Sequence, residues 1–110
     1  MLKKSKKETP PATPMEYTVS LLGNKWKLLL LKMMMSRTIP WHLPEFVKAI
    51  NGADQTVLKV TLQAMDRDGL IITTTHRDLP PRIEYTLSEL GESLRPILEA
   101  METWGETHIN

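Results

Sequence analysis

Residues 54–87 read DQTVLKVTLQAMDRDGLIITTTHRDLPPRIEYTL, and this run decides the fold. Asp54 has the short acceptor side chain that caps the free N–H groups of a first helical turn, and Gly69 supplies the left-handed residue that ends one. The spacing between them predicts a helix over 55–68. At about 100° per residue, Leu58, Leu62 and Met65 fall within about 40° of one another and form a stripe to be buried. Thr56, Val60, Gln63 and Arg67 point the opposite way, with Gln55 and Lys59 on the flank. After Gly69, LIITTTH is rich in β-branched residues and IEYTL alternates apolar with polar, so both read as strands. Pro80 and Pro81 in the intervening RDLPPR cannot donate to a ladder, which makes that segment the turn of a hairpin.

Upstream, Pro44 suits the first turn of a helix in which Leu43, Phe46, Val47 and Ile50 point inward, and Asn51 and Gly52 form a tight turn into the next helix. Two helices joined in this way are a helix-turn-helix candidate. Thr13, Pro14 and Glu16 make a capping box for a helix over 14–22, ended by Gly23. Asn24 caps a second helix from Lys25 to about Met35, apolar around most of its circumference and so expected at the centre. Within it, Met33, Met34 and Met35 read as core packing before they read as a ligand pocket. Residues 36–41 connect to the third helix, with one or two of them available to pair as an edge strand. Ser88 caps a final helix carrying Leu90, Leu94, Ile97, Leu98, Met101 and Trp104 on one side, and Pro96 is expected to bend or tilt its start. The result is mainly α with a β-hairpin, an α+β winged helix-turn-helix occupying 13–110, preceded by a flexible basic arm over 1–12.

Composition narrows the function. The chain has 110 residues, 41% hydrophobic and 25% charged, with no cysteine. That supports one core and excludes a disulfide scaffold. No apolar run approaches the ~20 residues that cross a bilayer, and nothing hydrophobic follows the lysine-rich start, so neither a membrane span nor a secretory signal is expected. A cytoplasmic protein is the consequence. The formal net charge of +1 hides segregation: residues 24–82 carry +4 and residues 83–110 carry −5. A basic middle suits a polyanion, and an acidic end suits water or a protein.

In a winged helix-turn-helix the helix before the hairpin enters the major groove of DNA. Gln55 and Thr56 can hydrogen-bond base edges there, Val60 can touch a thymine methyl, and Lys59 can meet guanine or phosphate. Lys25 and Lys27 lie in the first turn of the second helix, where backbone N–H groups also favour an anion. Arg77 and Arg82 bracket the rigid prolines, placed to clamp phosphate or enter the minor groove. An exposed apolar stripe including Ile97, Met101 and Trp104 on a terminal helix suggests a twofold dimer. His42, His76 and His108 have no carboxylate or thiol partner at ligand spacing, so no metal is expected, and no cofactor. No nucleophile is ordered beside a base, which argues against an enzyme. The rival reading is a winged-helix protein-interaction module without specific DNA binding.

The runs PMEYTVSLLGNKWKLLLL, HLPEFVKAI, DQTVLKVTLQAMDRDGLI and PPRIEYTLSELGESLRPILEAMETWGE together resemble the HxlR-type winged-helix transcriptional regulators of the wider MarR-like group. The resemblance extends from Pro14 to Glu106, and LGNKWK, DGLI and PPRIEYTLSELGESLRPIL are its most specific pieces. It implies a bacterial or archaeal homodimeric regulator whose double-stranded DNA partner is a palindromic operator. The first and last helices would form the dimer interface, placing Tyr17, Leu94, Ile97, Leu98, Met101 and Trp104 there. By position it assigns DNA contacts to Lys25, Lys27, Gln55, Thr56, Lys59, Arg77 and Arg82. Two departures stand out. Many members carry a thiol-sensing cysteine where this chain has Thr13, so thiolate chemistry cannot be inherited. Pro44 and Val47 replace a frequent serine cap and a frequent basic residue. A small-molecule effector is left open by the sequence.

Overall fold

A computed structural model describes residues 13–110, and the basic arm expected over 1–12 lies outside the described residues. Thr13 Oγ1 accepts the Glu16 N–H at 3.1 Å, and Glu16 Oε1 accepts the Thr13 N–H at 3.1 Å, so the capping box opens α1 (Pro14–Leu22). Asn24 Oδ1 takes the N–H groups of Trp26 and Lys27 at 2.8 and 3.1 Å and opens α2 (Lys25–Met35). As its largely apolar circumference requires, α2 runs through the core: Leu30, Leu31 and Met34 are buried, and Met33 and Met35 pack half-buried against them.

The helix-turn-helix follows. It consists of α3 (Leu43–Ala49) and α4 (Gln55–Arg67), joined through Gly52, whose φ of +81° is reached without strain only by glycine. Asp54 Oδ1 caps α4 through the Thr56 N–H at 3.1 Å, and Gly69, at φ +79°, turns the chain out of it. Two antiparallel strands, β1 (Ile71–His76) and β2 (Arg82–Leu87), make the hairpin, in register from Ile71 opposite Leu87 to His76 opposite Arg82. The connector supplies the edge pairing its sequence allowed. Trp41 and Tyr85 exchange both backbone hydrogen bonds at 2.9 Å, and the Trp41 ring stacks on Phe46 with centroids 5.0 Å apart.

The end of the chain differs from expectation. In place of one bent helix there are two, α5 (Glu89–Glu92) and α6 (Arg95–His108). Pro96 sits in the first turn of α6, where its missing N–H costs nothing, and its ring forbids a regular helix running in from residue 92. The break at Ser93 and Leu94 shifts the helical phase. Leu94 is only 7% exposed and belongs to the core, so its assignment to a dimer interface is corrected. Leu98 is half-buried against the same core. Ser88 binds this junction to the hairpin root, donating to the Gly69 carbonyl at 2.6 Å and accepting the Gly91 N–H at 3.0 Å. Gly91 lies so close that a Cβ there would fall against the Leu70 carbonyl oxygen. No described helix is long and apolar enough to cross a membrane.

Candidate nucleic-acid interface

One face of α4 is closed and the other open. Leu58, Leu62 and Met65 are buried, as their spacing requires, and Thr61 joins them, its hydroxyl donating back to the Val57 carbonyl at 2.7 Å. Gln55, Thr56, Lys59, Gln63 and Arg67 are exposed on the other side, and Val60 among them is 57% exposed. A β-branched apolar side chain left open within a polar edge gains nothing for the fold, but it can cover a thymine methyl.

The cations expected around α4 fall into two groups. Among the described residues, Lys25, Lys59 and Arg77 take part in no ion pair. Lys25 is exposed at the start of α2, with its Nζ 4.7 Å from the Trp26 ring centroid. Arg82 lies at the hairpin end, with Nη1 3.4 Å from Asp78 Oδ2 and Nε 3.8 Å from Glu84 Oε2, and remains about half exposed. Lys27 is different. Its Nζ lies 3.1 Å from Asp68 Oδ2 and 3.5 Å from the Ser20 carbonyl, and its side chain is only 14% exposed. The expectation that Lys27 meets phosphate is therefore corrected: its charge is neutralised by the residue that ends α4, and the pair ties α2 to that helix.

A second group of charges was not expected from the sequence. His76 Nε2 lies 2.8 Å from Glu84 Oε1, and His42 lies between two carboxylates, Nδ1 3.3 Å from Glu45 Oε1 and Nε2 3.5 Å from Glu84 Oε2. His42 and His76 thus have carboxylate partners in ion pairs, which a search for metal-ligand spacing does not reveal. The His42–Glu45 pair was visible at helical i,i+3 spacing, whereas the meeting at Glu84 depends on the hairpin register and the Trp41–Tyr85 pairing. Arg37, stacked 3.8 Å over the Trp41 ring, donates to Glu45 at 2.8 Å and to the Pro40 carbonyl at 2.7 Å. That Arg37 hydrogen bond, seconded by the His42 N–H, holds the Glu45 carboxyl below the usual range. The hydrogen bond from His76 does the same for Glu84.

Away from the hairpin, the exposed apolar side chains gather on the terminal helices. Tyr17 on α1 and Ile97, Met101 and Trp104 on α6 are all exposed, Trp104 by 66%. Between α2 and α6 a groove of about 310 Å³ is lined mainly by Leu28, Leu29, Met35, Leu98 and Met101.

Residues 21–110 match the family model described as HxlR-like helix-turn-helix. The HTH-type transcriptional regulator YdeP of Bacillus subtilis is 34% identical over 95 residues, covering 86% of this chain and 73% of that protein. The redox regulator HypR in its oxidised form is similar in structure, with a TM-score of 0.82 and 31% identity over 89% of this chain and 99% of its own. A MarR-family transcriptional regulator from Porphyromonas gingivalis, 27% identical, also gives a TM-score of 0.82 and covers 98% of this chain and 100% of its own.

Proposed function

The chain belongs to the HxlR-like helix-turn-helix family of DNA-binding transcriptional regulators, and from that premise we propose that it is a repressor binding a palindromic operator as a homodimer. The observation that carries this reading is the exposed edge of α4, in which hydrogen-bonding Gln55 and Thr56 and apolar Val60 stand beside the cation of Lys59. Such an edge has no use in the monomer's own packing, and it offers the donor, acceptor and methyl-sized groups that distinguish base pairs in the major groove. Arg77 and Arg82 on the hairpin hold the backbone or minor groove, and Lys25 meets a phosphate at the start of α2.

The dimer is formed by α1 and α6 through Tyr17, Ile97, Met101 and Trp104, apolar side chains that a monomer would leave in water. Twofold symmetry then places the two copies of α4 about 34 Å apart on one face of the duplex. A small effector, where one acts, fits the apolar groove between α2 and α6. Repression follows from occupying the operator against polymerase. The test is titration of labelled duplex at several salt concentrations: log affinity should fall with log salt at a slope of about −0.9 per phosphate neutralised. Absence of binding at low salt would favour the protein-interaction module instead.

A further inference from the structure

The ion-pair chain at the outer end of the hairpin is not used in reading bases, and it joins parts that must keep a fixed relation for DNA to be read. Glu84 belongs to β2, His76 to β1, and His42 and Glu45 to the start of α3. Between its two carboxylates His42 faces a counting problem. A neutral imidazole has one N–H, which faces either Glu45, 3.3 Å from Nδ1, or Glu84, 3.5 Å from Nε2, and leaves a ring lone pair toward the other carboxylate; the imidazolium turns an N–H toward each, and its charge is attracted by both. His76 adds a third nitrogen on Glu84.

The charges joined to these rings are Glu45 from α3 and Glu84 from β2 directly, and through them Arg37 from the connector, Arg82 from β2 and, paired with Arg82, Asp78 from the hairpin tip. With both histidines neutral, two arginines meet three carboxylates and the group carries −1; with both protonated it carries +1. Both carboxyls next to the rings are held below their usual range by their hydrogen bonds, so they remain charged across neutral pH.

The geometry points to His42 and Glu84 as positioning residues for the wing: they tie the hairpin bearing Arg77 and Arg82 to the helix-turn-helix, and proton uptake by His42 and His76 strengthens both the tie and DNA affinity. This rests on the reading of the hairpin as a DNA-contacting wing. The sign follows from linkage. A complex with phosphates favours the more positive form, so affinity rises as pH falls, by up to about tenfold per pH unit for each proton taken up on binding.

The test uses the full chain and a duplex selected for binding from a random pool, with affinity measured from pH 8.5 to 5.5 at fixed salt. The expected result is a rise toward low pH that the double variant His42→Gln, His76→Gln flattens and His108→Gln, at the far end of α6, retains. A flat wild-type profile, or an unchanged slope in the double variant, overturns the proposal. Ring NMR titration of the free protein gives a readout independent of DNA. In Glu84→Gln, shown folded by circular dichroism, the pH dependence of the ring resonances of both His42 and His76 should change. An unchanged pH dependence also overturns the proposal. If no duplex binds at any pH or salt, the DNA-binding reading and the affinity effect fall together, and the ring titration still decides whether the tie exists.

Discussion

Replacing Lys27 by methionine separates a lysine that holds the fold from a lysine that holds DNA. Methionine keeps most of the aliphatic stem and removes only the ammonium that lies 3.1 Å from Asp68. At that distance the gross attraction is about 5 kcal/mol at an effective dielectric constant of ~20, and desolvation offsets most of it. Fully exposed pairs net about 0–1 kcal/mol, and charge-assisted hydrogen bonds about 1.5–3. With the lysine 14% and the aspartate 29% exposed, the pair lies between these cases, at about 1–2 kcal/mol. Asp68 can still reach water, so the larger penalty of a stranded buried charge does not apply. Thermal unfolding at one protein concentration should therefore show Tm lowered by about 4–8 °C for each kcal/mol of destabilisation. The salt slope of DNA binding should stay where it was, because Lys27 neutralises no phosphate. An unchanged Tm together with a slope shallower by about 0.9 would refute the reasoning and return Lys27 to the DNA surface.

Trp104→Asp puts a charge into the exposed apolar patch of α6 and should convert a dimer to monomer in sedimentation; a variant still dimeric would place the interface elsewhere. Gly91→Ala forces a methyl against the Leu70 carbonyl and should cost about 1–3 kcal/mol in urea unfolding, with no loss expected if α5 can move aside freely. Glu45 and Glu84 titrate below the ordinary carboxyl value of 4.5 in the folded chain, so the stability they add is complete above that pH and fades as pH falls through their lowered values. Urea midpoints should drop below about pH 4.5, and less steeply in Glu45→Gln; the same slope in both proteins would contradict the pairing with Arg37 and His42.

What the sequence reveals about this fold is what local chemistry decides. Thr13 with Glu16, Asn24 and Asp54 cap their helices through groups two or three residues away, and Gly69 ends α4 by its own backbone freedom. The buried stripe of α4 follows from periodicity alone. Sequence reasoning fails where a partner is distant or a phase is broken. Lys27 and Asp68 are separated by 41 positions and meet only because α2 packs on the end of α4. A continuous helical wheel puts Leu94 on the outer stripe, and the interruption before Pro96 turns it inward. His76 reaches Glu84 diagonally across a hairpin whose register is set by where the turn falls, and His42 reaches it across the Trp41–Tyr85 pairing. The outward residues of α4 are legible as a face; which bases they meet is a property of the complex.

Whether α4 reads sequence is decided most directly by the ratio of operator to random-duplex affinity in Gln55→Ala and Lys59→Ala at one salt concentration. Operator affinity should fall by about 1–3 kcal/mol for each base-reading side chain removed, while random-duplex affinity changes much less. Equal weakening on both duplexes, leaving the ratio where it was, would contradict it.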